Sequence, residues 1–79
     1  MPGPRVLVVV RDGCHLCDDA VAIAARVCTE VGAEWATANV DTDPGLAEHT
    51  DHVPVTFVDA RRFAIWFLDE RQLRAALTG

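Results

Sequence analysis

Two cysteines separated by two residues are the part of this sequence with the clearest capacity for chemistry. Cys14 and Cys17 bracket His15 and Leu16, shortly after a strongly apolar segment. Residues three apart on a helix share a face, so the two sulfurs can come within disulfide-bonding distance. This spacing at the start of a helix favours thiol–disulfide exchange, with metal binding and simple packing as the alternatives.

The expected position of Cys14 at a helix N-terminus adds to its predicted reactivity. The first N–H groups of a helix lack intrahelical partners, and the helix dipole is positive there, so both favour a thiolate. We therefore expect the pKa of Cys14 to lie below its ordinary value. A protonated His15 would strengthen this effect, and Arg11 is a second candidate. Cys17, one turn further in, is expected to be more buried, so Cys14 would attack a substrate disulfide and Cys17 would resolve the mixed disulfide.

Two histidines support a competing interpretation. His49 and His52, together with Cys14 and Cys17, make a Cys₂His₂ set that could hold zinc tetrahedrally. His52 lies next to the loop that we expect beside the dithiol. The long separation of Cys17 from His49 is unlike the spacing of a zinc finger, so we rank metal binding below redox chemistry.

Composition and charge restrict the class of protein. The chain has 79 residues, 51% hydrophobic and 24% charged, which predicts one globular domain over 1–79. A net charge of −5 argues against a nucleic-acid partner. No apolar run approaches the roughly 18–20 residues of a membrane span, and the first residues do not resemble a secretory signal. Three cysteines do not suggest a disulfide framework, so we expect a cytoplasmic protein. Cys28 is expected to be a buried packing residue, and the protein is expected to be a monomer.

The first half of the chain predicts a strand–helix–strand unit that would position the cysteine pair. Residues 6–10 form a continuous β-branched run, as in a strand covered on both faces. Apolar residues then recur at helical spacing from Cys14 to Val31, and Gly32 ends the helix. A second strand is predicted over 34–40. Such a unit is expected to be right-handed, with parallel strands.

The second half predicts four further elements: a short helix over 45–50, strands over 55–58 and 63–68, and a helix over 70–77. Asp43 and Pro44 suit the start of the short helix, and Asp69 with Gln72 fits a capping box for the last one. The short connection over 59–62 makes the last two strands an antiparallel hairpin. The sequence therefore predicts an α/β domain with a mixed four-stranded sheet and helices on both faces.

Three motifs together resemble those of a glutaredoxin. They are Gly13-Cys14-His15-Leu16-Cys17 after a strand, Val53-Pro54-Val55 before another, and Asp69-Glu70 at the start of the last helix. The resemblance covers about residues 6–77 and is greatest to the short glutaredoxin-like proteins of bacteria and plants. It implies a thioredoxin-like fold with strand order 2-1-3-4, with Cys14 as nucleophile and Cys17 as resolving cysteine. It also implies a redox-active disulfide without a bound cofactor, and electrons from glutathione, another low-molecular-weight thiol or a thiol reductase.

The resemblance also suggests how a substrate would bind. Pro54 would be a cis-proline facing the cysteine pair, and the backbone of Val53 would pair with an extended substrate. Arg11, His15, Leu16 and Trp66 complete the predicted set of substrate contacts. Two further alternatives remain. One is a non-catalytic binding module that uses the groove at Pro54 and Trp66. The other, which the resemblance also allows, is an iron–sulfur cluster on Cys14 shared across a dimer.

Two positions depart from the family pattern. His15-Leu16 replaces the usual proline–aromatic pair, which leaves the redox potential open. Trp66-Phe67 stands where glutaredoxins usually carry two glycines that allow close approach of glutathione. These rings weigh against glutathione, so a protein disulfide or another small thiol, such as mycothiol, is the expected substrate. Trp66 itself is predicted to be a strand residue or a contact surface for a partner.

Overall fold

The computed structural model describes residues 3–79, which form four strands, two α-helices and one 3₁₀ helix. In chain order they are β1 (Val6–Val10), α1 (His15–Val31), β2 (Trp35–Asn39), the 3₁₀ helix (Pro44–His52), β3 (Val55–Val58), β4 (Arg61–Ile65) and α2 (Glu70–Thr78). The sheet order is β2-β1-β3-β4. Strands β1 and β2 are parallel, and the other two pairings are antiparallel. The predicted thioredoxin-like fold is confirmed.

Strand β1 packs against helices on both faces of the sheet, as its continuous apolar run predicts. Val6 and Val8 belong to a core that contains the buried faces of α1 and α2. Val9 belongs to a second core. Leu7 of the same strand and Leu46 of the 3₁₀ helix pack against that core. Because successive side chains of a strand alternate between faces, this one strand contributes to both cores.

The ends of α1 lie where local sequence signals place them. Cys14 is the N-cap, with extended backbone, and helical geometry begins at His15. At the other end Gly32 has a φ of 76°, and the N–H groups of Gly32 and Ala33 both donate to the carbonyl of Cys28. A left-handed residue in this position is the usual helix stop, and glycine adopts it without steric cost.

The 3₁₀ helix is longer than the predicted short helix. Asp43 is its N-cap and accepts a hydrogen bond from Gly45 N at 3.0 Å, with Pro44 at the first helical position. The helix continues to His52, two residues beyond the predicted end at residue 50. None of its residues is fully buried, and it covers the second core mainly with the half-buried Leu46.

The prediction for β4 was wrong at both ends. The strand spans Arg61–Ile65, not 63–68, because the hairpin turn consists of Asp59 and Ala60 alone. Both turn residues have positive φ, 51° and 68°, as a two-residue turn with the twist of a β-hairpin requires. The register also shifts between Thr56 and Phe57 of β3. The strand ends at Ile65, so the prediction that Trp66 is a strand residue was wrong.

Helix α2 packs beside α1 and is joined to it by ion pairs. Asp69 caps α2 by accepting a hydrogen bond from Gln72 N at 2.9 Å, which is one half of the predicted capping box. Glu70 binds Arg26 of α1 and also Arg74, four residues along α2. Arg74 in turn contacts Glu30 near the end of α1. Within residues 3–79, no helix has both the length and the apolar character needed to cross a membrane.

Candidate functional site

The candidate site lies where three strand ends meet at one edge of the sheet. Cys14 follows the carboxyl end of β1, Pro54 precedes the amino end of β3, and Trp66 follows the carboxyl end of β4. Strand β3 is antiparallel to both of its neighbours, so β1 and β4 run in the same direction. The topology therefore brings residues distant in sequence to one edge.

Cys14 and Cys17 form a disulfide across the first turn of α1. Their Cα atoms are 5.2 Å apart, within the range of protein disulfides. The N–H of Cys17 donates to Cys14 Sγ at 3.1 Å, so a backbone donor at the helix start already faces this sulfur. Gly13, with a φ of 71°, makes the turn from β1 into the helix. The predicted pairing is confirmed.

The two cysteines differ in their access to solvent. Cys17 is 2% exposed and packs in the second core with Val9, Val53 and Val55, whereas Cys14 is only partly buried. An incoming disulfide would therefore reach Cys14 first. The buried position fixes Cys17 one turn behind it, where it can attack a bond formed on Cys14.

Pro54 lies in the site in the conformation that the resemblance implies. The Val53–Pro54 peptide bond is cis, and the side chains of both residues are buried. The carbonyl of Pro54 accepts a hydrogen bond from Trp66 N at 2.8 Å. Val53 is the C-cap of the 3₁₀ helix and has extended backbone, so it joins that helix to Pro54 at the amino end of β3.

Of three other predicted contact residues, two lie between the cysteines and one is directed away towards the 3₁₀ helix. His15 and Leu16 are exposed on the first turn of α1, between the two cysteines. Arg11 is exposed at the end of β1, and its guanidinium donates to the carbonyl of Thr50 at 3.4 Å. Arg11 therefore points towards the 3₁₀ helix.

Trp66 occupies an unusual backbone position beside Pro54. Its φ is 63°, in the left-handed region that bulky residues rarely adopt. Its indole N–H makes a long hydrogen bond of 3.4 Å to the carbonyl of Asp51, and its ring stacks on His52 at a centroid distance of 6.4 Å. The side chain is still 46% exposed.

Phe67 is a surface residue that the sequence reasoning did not include in the site. It is 73% exposed and, with Trp66 and Leu68, faces α1 across a groove of about 410 Å³. We call this the α1 groove; its α1 wall includes Leu16, Asp19, Ile23 and Arg26. The sequence held no signal for this, since the run Ile65-Trp66-Phe67-Leu68 is as compatible with a strand covered on both faces as the apolar run of β1.

The structure does not assemble the predicted zinc ligands. Within residues 3–79, no three His, Cys, Asp or Glu side chains come together as a metal site. His52 stacks on Trp66, and His49 packs edge-on against Phe57, with ring centroids 5.7 Å apart. The set of Cys14, Cys17 and His52 is therefore not brought together.

The third cysteine lies apart from the site. Cys28 is fully buried in the core formed by α1 and α2, as predicted. Burial raises the pKa of its thiol, which disfavours the reactive thiolate at neutral pH. Cys28 is the one cysteine of the chain outside the disulfide.

Comparisons with known proteins place this site in a family. The sequence model of the Glutaredoxin-like domain (DUF836) matches residues 5–78. A protein of Mycobacterium tuberculosis, described as uncharacterized protein Rv0508, is 36% identical over 81 residues, covering 95% of this chain and 84% of the relative. A protein of Mycobacterium bovis, described as uncharacterized protein Mb0520, matches to the same extent.

Solved structures agree with this assignment. The solution structure of protein Ne2328 from Nitrosomonas europaea has a TM-score of 0.75 at 30% identity, covering 99% of this chain and 94% of that one. The X-ray structure of protein XcR50 from X. campestris has a TM-score of 0.71 at 30% identity, covering 91% and 93%. With a cysteine pair at the start of α1 and a family match over nearly its whole length, this chain belongs to the glutaredoxin-like domain family.

Proposed function

We propose that this protein is a thiol–disulfide oxidoreductase that uses Cys14 as nucleophile and Cys17 as resolving cysteine. The observation that carries the proposal is the disulfide at the N-terminus of α1, with one partly accessible and one buried sulfur. A structural disulfide would not need this asymmetry. A dithiol catalyst does, because attack and resolution are separate steps.

In the proposed reaction, the reduction of one substrate disulfide is coupled to the oxidation of Cys14 and Cys17. In the reduced protein, the Cys14 thiolate attacks a substrate sulfur, so that the substrate S–S bond breaks and a Cys14–substrate disulfide forms. The other substrate sulfur leaves as a thiolate and takes up a proton. Cys17 loses its proton and attacks Cys14 Sγ, which closes the Cys14–Cys17 disulfide and expels the second substrate thiolate. That thiolate takes up a proton. Two electrons have then moved from the protein to the substrate, and an external thiol or a thiol reductase must restore the dithiol.

The surroundings of Cys14 support its role as the attacking group. The N–H of Cys17, which donates to Cys14 Sγ in the disulfide, would donate more strongly to a thiolate at the same place. The dipole of α1 acts in the same direction. We expect the backbone of Val53 to pair with an extended substrate, and the side chains of Arg11, His15, Leu16 and Trp66 to contact it.

A pair of single substitutions tests this proposal. Cys17→Ser removes the resolving thiol, so we expect mixed disulfides on Cys14 to accumulate when the reduced variant meets a disulfide substrate. Cys14→Ser removes the nucleophile, so no such species should form. Mass spectrometry of the non-reduced protein detects the adducts, and the alkylation rate of reduced Cys14 measures its thiolate character.

Cys28→Ser is the matched control, because it removes a thiol outside the site. It should leave both adduct formation and the fast alkylation of Cys14 unchanged. If Cys14 alkylates no faster than free cysteine and forms no disulfide with Cys17, the protein is a binding module that keeps the fold, and the proposal fails. We place the activity in a reducing compartment such as the cytoplasm, where Cys28 would remain a free thiol.

A further inference from the structure

We propose that the α1 groove receives a large apolar side chain of an extended protein segment whose cysteine reacts with Cys14, and that Asp19 meets a basic residue of that segment. The inference rests on the proposed function and names its substrate class. The substrate would be a protein disulfide flanked by apolar and basic residues.

The exposed apolar surface of the described residues is concentrated at this groove. Leu16, Trp66 and Phe67 are 37%, 46% and 73% exposed, and all three line the α1 groove. Single exposed apolar residues are common on protein surfaces, but a contiguous group indicates an interaction site. The groove volume of about 410 Å³ gives room for a large side chain.

The backbone of Trp66, which forms part of the groove wall, is held in a sterically strained conformation. A φ of 63° is sterically unfavourable for a bulky residue. Two hydrogen bonds, to the carbonyls of Pro54 and Asp51, hold the residue there. Burial does not account for the cost, because nearly half of the side chain is exposed. Strain of this kind concentrates at binding sites, where a particular side-chain position matters.

The charges of the groove favour a basic protein segment over a small anionic thiol. Arg26 is the one cation among the groove-lining residues, and Glu70 already binds it. Asp19 is exposed and forms no ion pair within residues 3–79. A thiol that carries carboxylates would find no free cation in the groove. A lysine or arginine of a protein segment would find the carboxylate of Asp19.

The groove is continuous with the reactive pair. Leu16 lies between the two cysteines on α1, and the backbone N–H of Trp66 donates a hydrogen bond to the carbonyl of Pro54. A chain paired with Val53 is extended, and its residues advance by about 3.3 Å each. The Cα of a residue two positions from the substrate cysteine is therefore about 7 Å from the Cα of that cysteine, and the two side chains lie on the same face of the strand.

Chromogenic peptides test the inference directly. Each probe is a short synthetic peptide with one cysteine, linked as a mixed disulfide to thionitrobenzoate. Attack by Cys14 on the peptide sulfur breaks that bond, forms the Cys14–peptide disulfide and releases coloured thionitrobenzoate. One peptide carries Phe two positions from the cysteine on both sides and Lys beyond; in the others Ala replaces Phe, or Glu replaces Lys. The protein is reduced with dithiothreitol and freed from it before use.

We expect the second-order rate constant to be roughly tenfold higher for the Phe peptide than for the Ala peptide. Phe67→Ala should reduce this ratio to less than about threefold, while Phe67→Leu, which keeps an apolar side chain, should retain most of it. The peptide in which Glu replaces Lys should react severalfold more slowly with the wild-type protein than the Lys peptide does. Asp19→Asn in the protein should remove that difference between the two peptides. Glu48→Gln removes a negative charge from the 3₁₀ helix and should leave both ratios unchanged.

The outcomes separate the two proposals. If reduced Cys14 releases thionitrobenzoate from none of the probes, the proposed function fails. If all peptides react rapidly and at equal rates, or if a glutathione–thionitrobenzoate probe reacts faster than the Phe peptide, the function stands and the inference about the groove is overturned. Circular dichroism of each variant establishes that a changed ratio does not reflect unfolding.

Discussion

At the scale of single residues, Trp66 is where sequence reasoning and structure differ most. Its place in the apolar run Ile65-Trp66-Phe67-Leu68 allows a continuing strand, and no glycine marks the end of that strand. Nothing in a residue type predicts that a tryptophan will adopt a positive φ, because the intrinsic preference opposes it. The hydrogen bond to Pro54 that accompanies this conformation is tertiary and leaves no local signal.

The strain at Trp66 can be measured by comparing two truncations. Trp66→Ala and Trp66→Gly both remove the ring and its contacts, but only glycine adopts a φ of 63° without steric cost. We expect the glycine variant to have the higher free energy of unfolding, by about 1 kcal/mol, in urea denaturation. Equal stability, or a less stable glycine variant, would show that the backbone of Trp66 is not strained.

At the scale of elements, the local signals predict where helices begin and end. Gly32, Asp43 with Pro44, and Asp69 mark helix boundaries through bonds made within a few residues, and the structure contains those boundaries. The start of β4 was missed because the turn residues Asp59 and Ala60 reach positive φ without a glycine. Helix boundaries that depend on hydrogen bonds within a few residues can therefore be predicted from the sequence. Turn geometry that is imposed by the pairing of two strands cannot.

The cap of α2 gives a test at this scale. Asp69→Ala removes the acceptor for Gln72 N, so we expect a loss of about 1 kcal/mol in the free energy of unfolding. Gln72→Ala is the control: within residues 3–79 its side chain makes no hydrogen bond to the N–H of Asp69, so the loss should be small. Urea denaturation of both variants measures the difference. A comparable loss in Gln72→Ala would mean that the complete capping box forms in solution.

At the scale of the whole molecule, the sheet brings together residues that lie far apart in the sequence. The cysteine pair was predictable from its spacing and helix position, and Pro54 from the resemblance, because both belong to recognisable motifs. The α1 groove was not predictable, since it depends on how α2 and its preceding segment pack on α1. That packing involves ion pairs of Glu70 and Arg74 with α1 residues, which the sequence pattern does not specify.

The pairing of the two helices should depend on pH through Glu70. Its hydrogen bonds to Arg26 and Arg74 lower its pKa from the usual 4.5 to about 2. A carboxylate with a lowered folded-state pKa stabilises the protein above its unfolded-state pKa, and this contribution is lost as the pH falls towards the folded-state value. We therefore expect Glu70→Gln to be less stable than the wild type at neutral pH.

The difference in stability between Glu70→Gln and the wild type should narrow between pH 4.5 and about 2, because the wild-type Glu70 side chain also becomes neutral over that range. Thermal denaturation of both proteins across that range measures it. Glu48→Gln, on the 3₁₀ helix, should show no comparable convergence. A difference between Glu70→Gln and wild type that stays constant to pH 2 would mean that the lost contact is not electrostatic.

The direction of the strands also separates the two tryptophans. Trp35 begins β2 and is paired with Val6, at the end of the sheet opposite to the cysteines, whereas Trp66 lies at the cysteine end on His52. Indole fluorescence is quenched by nearby disulfides. The emission of Trp66 should therefore report the oxidation state of the cysteine pair, while Trp35 supplies a constant background. Replacing Trp35 by Phe would leave Trp66 as the one tryptophan of the chain, so that the intrinsic fluorescence follows oxidation and reduction of the cysteine pair without an added dye.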